Sequence, residues 1–471
     1  MYFVTLILST LLLNVLSYTD EALKDQVVNL HGTEGLNVTF DQFSGYITLP
    51  DGNKNVHYWL QNIKGNDYTK APLVFWTNGG PGCSGVLGAM TEQGAFRPTK
   101  DLKLSLNDFS WNGVANMVFI ESPVGVGYSY SDNDDDYTMG DAQTAQDNYD
   151  LIQGFLKKFP ELASNDLYIT SESYGGHYLP TWAKKIVDEN TAGKNPKLNF
   201  KGFAVGNPYT NVYTGTASGL VTYWGHQIVA KPTWDKFEEN CIDVKVPKLQ
   251  KCEELMIEMY RQVGNLNPYA LDYPVCVSDE GKKLQSRQAK FFKDFLHKDS
   301  AAELRKAIGL SSTPSVTGMP EYDPCVDDYT IDYMNLDDVK TQLHVKSDIK
   351  WSECSYKIRY SQKDSRDDMT GYYNYLIDGG YDLNILVYSG DDDSVCSTEG
   401  TQSWIWDLGY KSIKQIWRSY SLNDQQAGYW TQFEGKLTFL TVRNAGHEVP
   451  TYQPEVALDL FTKYLKGEWF Q

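Results

Sequence analysis

Short apolar segments that alternate with amphipathic segments organise most of this chain. Each apolar segment is bounded by turn residues and has the length of a buried strand. The predicted core strands are 72–76, 117–120, 167–170, 201–206, 384–388 and 436–442. Helical patterns occupy about 139–159 and 178–187, between these strands. Strands that alternate with helices imply a sheet with crossover connections, so the predicted fold class is α/β.

Two regions depart from this alternation. Short alternating strands at 44–50 and 56–60 indicate an antiparallel start to the sheet. From 209 to 329 the chain is helical, charged and rich in loops, with no candidate for a central strand. We predict a mostly helical cap there, inserted between core residues 18–208 and core residues 330–471.

The N-terminus carries a targeting pattern. Residues 3–16 are almost wholly apolar and Ser17 follows, which predicts a cleaved secretory signal over 1–17. A signal anchor is the alternative. No other segment approaches the roughly 20 apolar residues that span a bilayer, so we expect no membrane association after removal of the signal. The sequence Asn37-Val38-Thr39 predicts glycosylation of Asn37 in the secretory pathway.

Charge and cysteine usage exclude several classes of function. The chain has 42 basic and 61 acidic residues and a net charge of −19, which argues against nucleic acid or an anionic membrane as partner. This charge suits an acidic compartment, where protonation of carboxylates reduces self-repulsion. The 7 cysteines form no C-x-x-C pattern, so we expect no metal and no cofactor. In an oxidising compartment this odd count fits three disulfides and one free thiol.

Residues 166–178 carry the candidate nucleophile. The strand 167–170 breaks into small and glycine residues and resumes as a helix, which puts Ser173 at a strand-to-helix corner. A serine there can attack a carbonyl while the next backbone N–H holds the oxyanion. The G-x-S-x-G pattern is met imperfectly, because Ser171 replaces its first glycine. A glycine-rich turn without a catalytic role is the alternative.

Candidates for a base and an acid follow later strands. A serine hydroxyl needs a base and the base needs an orienting carboxylate, which α/β hydrolases supply in the order Ser, Asp, His. The aspartates at 391–393 directly follow the strand 384–388, and His447 follows the last core strand. The acid therefore has three alternatives. His177 lies in the helix after Ser173, and we expect it to pack there.

Three long motifs stand in the chain. They are Glu172-Ser173-Tyr174 followed by Gly-Gly-His-Tyr, the segment 76–85 and the segment 111–131. The second carries W-x-N-G-G-P-G-C-S over 76–84 and departs from the longer signature at Gly85, the next position. Together they resemble the serine carboxypeptidases, the peptidase family of carboxypeptidase Y and cathepsin A type. The resemblance covers nearly everything from about Asp25 onward, and it implies an α/β-hydrolase fold with a mostly helical cap.

The resemblance assigns roles to individual residues. It implies Asp393 as the acid, His447 as the base, and the backbone N–H groups of Gly80 and Tyr174 as oxyanion donors. The family positions that bind the free C-terminal carboxylate of the substrate map onto Trp76, Asn78, Gly79, Glu92 and Glu172. Carboxyl groups beside a carboxylate in a dry pocket cannot all ionise, so some hold protons. We therefore expect high activity at about pH 4 to 6.

The resemblance also implies a cysteine pairing and two specificity residues. The pairs are Cys83 with Cys354, Cys241 with Cys252, and Cys276 with Cys325. Cys396 would be the free thiol near the leaving-group pocket, with a buried structural cysteine as an equal alternative. Glu448 follows the base, where family members often carry an apolar residue. Its carboxylate would favour a departing Lys or Arg, or would pair with a backbone donor and leave specificity unchanged.

The leading interpretation is a serine-type carboxypeptidase that releases C-terminal amino acids from peptides and proteins through an acyl-enzyme at acidic pH. One alternative is an acyltransferase, in which an alcohol or amine replaces water. Another is a protective or binding subunit for other lysosomal hydrolases. We expect a lysosomal, vacuolar or extracellular location. The oligomeric state stays open, with a homodimer among the alternatives.

Overall fold

The computed structural model describes residues 18–242, 249–276, 322–413 and 416–469. The predicted signal peptide lies outside the described residues, and so do residues 243–248 and 277–321 of the predicted cap. In the part of the chain that is described, no helix combines the length and the apolarity that crossing a bilayer requires.

A large mixed sheet forms the centre of the molecule. In chain order the strands are β1 (Gln42–Thr48), β2 (Lys54–Gln61), β3 (Leu73–Thr77), β4 (Phe96–Pro98), β5 (Leu104–Leu106), β6 (Asn116–Ile120), β7 (Tyr130–Ser131), β8 (Thr138–Met139), β9 (Leu167–Glu172), β10 (Phe200–Gly206), β11 (Arg359–Tyr360), β12 (Asn384–Gly390), β13 (Arg418–Leu422), β14 (Gln425–Gln432) and β15 (Leu437–Val442).

The order of the strands confirms the predicted α/β class. Within the described residues the central sheet has 11 strands, in the order β1-β2-β6-β3-β9-β10-β12-β15-β14-β13 with β7 beside β2. The middle of the sheet, from β6 to β15, is parallel. Antiparallel strands extend it at both edges, β1 and β2 on one side and β14 and β13 on the other. Each predicted core strand is a strand of this parallel centre.

Helices cover both faces of the sheet. In chain order they are α1 (Asp20–Leu23), α2 (Gly85–Thr91), α3 (Asp141–Lys158), α4 (Gly175–Ala192), α5 (Val212–Gly225), α6 (Lys231–Phe237), α7 (Leu249–Val263), α8 (Val326–Met334), α9 (Asp337–Gln342), α10 (Thr370–Asp378), α11 (Thr398–Asp407), α12 (Val449–Tyr452) and α13 (Pro454–Lys466). Alternate residues of a central strand enter different cores, as in β3, where Phe75 packs with α3 and α4 while Trp76 packs with α13. Burial on both faces explains why these strands read as continuous apolar runs.

The described part of the predicted cap has its own apolar core. Helices α5, α6 and α7 contribute buried residues such as Tyr223, Phe237 and Met259 to it. Trp224 and Trp234 stack in the same cluster, with ring centroids 5.6 Å apart. The predicted cap boundary at 329 falls inside α8, whose later residues pack on the main core.

One edge hairpin was missed by the sequence patterns. β13 and β14 pair through a two-residue turn in which Asn423 and Asp424 have φ values of 50° and 60°. Two left-handed residues in succession are the requirement of a type I′ turn, and Asn and Asp tolerate that conformation. The dipeptide was the available signal, but the mostly polar strand Arg418–Leu422 offered no apolar run.

Three disulfides join the cysteines in the pairs that the resemblance implied. They are Cys83–Cys354, Cys241–Cys252 and Cys276–Cys325. Cys396 is buried outside these pairs. The side chain of Asn37, in the predicted glycosylation sequence, is exposed.

Candidate active site

Ser173 stands at a sharp corner between a strand and a helix. β9 ends at Glu172, α4 begins at Gly175, and Ser173 between them has φ = 58°. Its N–H donates to the Gly206 carbonyl at 3.0 Å, and its carbonyl accepts from the Tyr209 N–H at 2.8 Å. These bonds hold the corner against the end of β10. A half-buried serine in left-handed conformation at the carboxyl edge of the sheet has the geometry of a nucleophile elbow.

Ser171 is compatible with this corner because its neighbour has no side chain. A Cβ at Gly175 would lie 2.2 Å from Ser171 Oγ, so the serine occupies the space that this glycine leaves. Ser171 itself is fully buried in β9. Ser171 therefore fits beside the corner that holds Ser173.

His447 and Asp393 form a buried pair. His447 Nδ1 lies 2.7 Å from Asp393 Oδ2, and both side chains are almost completely buried. Asp393 also accepts hydrogen bonds from the backbone N–H groups of Val395 at 2.7 Å and Cys396 at 3.1 Å. These two bonds fix the orientation of the Asp393 carboxylate independently of its contact with the imidazole, as an orienting acid requires.

The structure separates Asp393 from the other two candidate acids. Asp391 Oδ1 accepts from the Asn444 N–H at 2.8 Å. Asp392 Oδ2 accepts from the Asp272 N–H at 2.9 Å. Of the three aspartates, Asp393 contacts the imidazole of His447.

The pKa of His447 reflects opposing influences. Burial lowers it, but the charge and the hydrogen bond of Asp393 outweigh burial and raise the pKa above its ordinary value. Glu448 and Glu92 contribute further to the rise. These two acids raise the pKa of His447 only while they are ionised. When they are protonated, the pKa of His447 is therefore lower.

Two glutamates share one amide in a dry pocket. Trp76 Nε1 donates to Asn78 Oδ1 at 2.7 Å, which turns the Asn78 NH₂ group away from the indole. That group donates to Glu92 Oε1 and to Glu172 Oε1, each at 2.8 Å. Burial, followed by repulsion from Glu448, raises the pKa of Glu92 to about 7. Burial and the charge of Glu92 raise the pKa of Glu172 well above its usual range.

The glycine loop after β3 lies directly against the nucleophile. A Cβ at Gly79 would be 2.5 Å from the Tyr174 nitrogen and 2.8 Å from Ser173 Cβ, so only glycine fits there. Gly80 follows with φ = 115°, a conformation open to glycine and rare for other residues. Gly79, the residue before Gly80, thus lies against the backbone nitrogen of Tyr174, and these two segments are expected to supply the oxyanion donors.

A comparison with known protein families fits this geometry. A family model described as serine carboxypeptidase matches residues 32–467. The chain belongs to the serine carboxypeptidase family. Membership makes it a serine-type hydrolase. Ser173, the glycine loop and the His447–Asp393 pair follow the carboxyl ends of its parallel strands.

Relatives and a solved structure are similar over nearly the whole chain. Serine carboxypeptidase 24 of Arabidopsis thaliana is 37% identical over 462 residues, covering 96% of this chain and 94% of that protein. Serine carboxypeptidase-like 22 of the same plant is 35% identical over 459 residues, covering 95% and 94%. The crystal structure of KEX1(delta)P, a prohormone-processing carboxypeptidase from Saccharomyces cerevisiae, superposes with a TM-score of 0.73 at 21% identity, covering 95% of this chain and 96% of that chain. That likeness shows a shared fold.

Two expected specificity residues of this serine carboxypeptidase lie beside the His447–Asp393 pair: the Cys396 N–H donates to Asp393, and Glu448 follows His447. Cys396 is buried, and burial raises the pKa of its thiol well above the usual range, so it stays a neutral thiol. Glu448 is half-buried and accepts from the Tyr452 hydroxyl at 3.4 Å. Burial raises the pKa of Glu448, with Asp327 adding to the rise. Among the described residues no Lys or Arg forms a salt bridge with Glu448.

Asn207 is a site residue that the sequence patterns did not identify. Its Nδ2 donates to Asp393 Oδ2 at 2.9 Å, and its Oδ1 accepts from the Gly390 N–H at 2.9 Å. Asn207 has φ = 37° directly after β10, whose last residue Gly206 holds the Ser173 N–H. The residue therefore connects the nucleophile corner to the acid loop. Its position immediately after a core strand was the available signal.

A segment of the predicted cap also holds the catalytic loops. The Tyr269 carbonyl accepts from the His447 N–H at 2.7 Å, and the Pro268 carbonyl accepts from the Ser394 N–H at 2.9 Å. The Leu271 N–H donates to the Asp392 carbonyl at 3.1 Å. Residues 267–273 thus fix the loops of both the acid and the base. His177 is buried in α4 as predicted, with Nδ1 3.0 Å from Asp141 and its ring stacked on Tyr174.

Proposed function

We propose that this enzyme releases C-terminal amino acids from peptides and proteins at acidic pH through an acyl-enzyme on Ser173. The observation that carries the proposal is the bridge from the Asn78 amide to Glu92 and Glu172, two buried carboxyls that cannot both ionise. Glu172 immediately precedes Ser173, so an anion bound there has its scissile bond next to the nucleophile.

The proposed reaction uses the triad in two half-reactions. His447 takes the Ser173 proton as Oγ attacks the scissile carbonyl, and Asp393 stabilises the resulting imidazolium. The backbone N–H groups of Gly80 and Tyr174 hold the oxyanion. His447 then gives the proton to the departing amino group, and the C–N bond breaks. In the second half-reaction His447 takes a proton from the water that attacks the acyl carbon, and gives it to Ser173 Oγ as the ester bond breaks.

The glutamate pair makes recognition of the substrate depend on pH. A protonated glutamate donates a hydrogen bond to the substrate carboxylate, whereas an ionised one repels it. Because the pKa of Glu92 is raised to about 7, this donor is present in acid and is lost as the pH rises through that value. The net charge of −19 and the N-terminal pattern support a location along the secretory pathway, in a lysosome, a vacuole or the extracellular space.

A matched pair of peptides tests the proposal. An N-blocked dipeptide with a free C-terminus and the same dipeptide as its C-terminal amide are incubated at pH 5, and the products are measured by mass spectrometry. We expect release of the C-terminal amino acid from the free acid and at least about tenfold slower cleavage of the amide, which lacks the anion. Equal rates for the two peptides would exclude carboxylate recognition by the glutamate pair.

A further inference from the structure

Three potential metal ligands meet beside the acid loop, outside the residues assigned to catalysis. His226, Asp272 and Asp392 each offer a ligand atom, and these atoms all lie within 4.8 Å of one another. His226 Nδ1 is 3.9 Å from Asp392 Oδ1. The three residues come from distant parts of the sequence, so no spacing pattern reveals them.

A buried oxygen of Asp392 without a hydrogen-bond partner is the observation that points to a ligand. Asp392 is 2% exposed, and its Oδ2 accepts from the Asp272 N–H at 2.9 Å. Its Oδ1 is buried and has no hydrogen-bond partner among the described residues. The distance of 3.9 Å to His226 Nδ1 is too long for a hydrogen bond. Because an unsatisfied buried carboxylate oxygen is costly, this atom needs a partner that the protein does not itself supply.

We propose that His226, Asp272 and Asp392 bind one divalent transition-metal cation of the Zn²⁺ type. One imidazole and two carboxylates are ligands that zinc accepts, whereas Ca²⁺ takes oxygen ligands. Two ligands at about 2.1 Å from a tetrahedral zinc lie about 3.4 Å apart, so the three ligand atoms, which lie within 4.8 Å of one another, would draw together by side-chain rotation when the ion binds. The exposed side chains of His226 and Asp272 leave the site open to solvent for entry of the ion.

The other group of potential ligands among the described residues does not compete. It consists of Cys276, Cys325 and Asp328, and its two sulfurs are bonded to each other. Disulfide sulfurs are not thiolates and do not ligate zinc.

The cation would fasten the predicted cap to the core. His226 directly follows α5, where its N–H donates to the Thr222 carbonyl at 2.9 Å. Asp272 belongs to the segment 267–273, which holds both catalytic loops, and Asp392 precedes the catalytic acid. Asp393 keeps its own hydrogen-bond donors, so the ion supplies no step of the reaction. It stabilises the docked position of the cap.

Zinc titration tests the site. Tag-free full-length protein, stripped with a chelator, is titrated with ZnCl₂ at pH 7.5 by calorimetry, beside His226→Gln and Asp272→Asn. Both substitutions change exposed side chains and leave the Asp272 N–H in place. The matched control is His31→Gln, because His31 Nδ1 also lies 3.9 Å from a carboxylate, Asp338, but outside a three-ligand group. We expect one zinc per chain for wild type and control, and at least about tenfold weaker binding by both site variants.

Thermal unfolding gives a second readout. Zinc should raise the Tm of wild type and His31→Gln, because a ligand that binds the folded state stabilises it, and should leave the Tm of both site variants unchanged. CaCl₂ in place of ZnCl₂ should bind at least about tenfold more weakly. Absence of zinc binding by wild type, undiminished binding by His226→Gln, or a preference for Ca²⁺ would each overturn the proposal.

Discussion

Glu92 and Glu172 lie side by side in a pocket without solvent, and the Asn78 amide donates to both of them at 2.8 Å. Two buried carboxyl groups that share one donor cannot both ionise, so one of them holds a proton. The pair is therefore a donor for an anion under acidic conditions, although it consists of acids. Most of the pH dependence expected of this enzyme follows from that relationship.

The pH profiles of peptide acids and esters should differ on the alkaline side. We expect kcat/KM for a free-acid peptide to fall as the pH rises through about 7, the raised pKa of Glu92, because the pair then loses its proton. An ester without a carboxylate should keep its activity there. Glu92→Gln, a neutral donor at every pH, should flatten the alkaline limb. The same alkaline limb for both substrates would contradict the assignment.

Replacement of the nucleophile should abolish activity and leave the fold intact. Ser173→Ala is expected to lower kcat by roughly 10⁶, because no other group can form the acyl-enzyme. An organophosphate serine reagent should label Ser173 alone in the wild type. Ser171→Ala is the matched control and should retain labelling. Labelling of the Ser173→Ala variant at any serine would assign the nucleophile elsewhere.

Glu448 should favour substrates with a basic C-terminal residue. Glu448 follows His447 and forms no salt bridge with a Lys or Arg among the described residues, so a departing Lys or Arg can supply that partner. We expect Glu448→Met to lower the Arg-to-Leu ratio of kcat/KM about ten- to a hundredfold. Because the pKa of Glu448 is raised, the wild-type preference should grow with increasing pH. An unchanged Arg-to-Leu ratio in the variant would show that Glu448 does not contribute to substrate specificity.

Asn207 should act as a positioning residue for the catalytic acid. Asn207→Gly removes both amide hydrogen bonds while tolerating φ = 37°, and Asn207→Ala removes the same bonds in a less favourable backbone conformation. We expect kcat to fall about tenfold to a hundredfold in both variants with little change in KM, since the loss concerns the orientation of Asp393. If Asn207 had only a structural role, Asn207→Ala would be less stable than Asn207→Gly, and kcat of Asn207→Gly would stay near the wild-type value.

The local patterns of the sequence determined the parallel centre of the fold. Strands buried on both faces are continuous apolar runs, and a strand that ends in small residues before a helix forms the corner that holds Ser173. The order of nucleophile, acid and base along the chain followed from the same strands. The edge hairpin β13–β14 was not predicted, because its strands are mostly polar and an edge strand needs no apolar run.

Only the tertiary structure decided which atoms meet. Three consecutive aspartates are equivalent as sequence, and the hydrogen bonds of Asn207 and His447 select Asp393 among them. The support of the base by the Tyr269 carbonyl and the meeting of His226, Asp272 and Asp392 likewise join segments that are remote along the chain. Hydrophobic periodicity reports which side of an element is buried, so it predicts elements and their order. The pairing of polar groups depends on distances that exist only after the sheet, the loops and the cap have packed together.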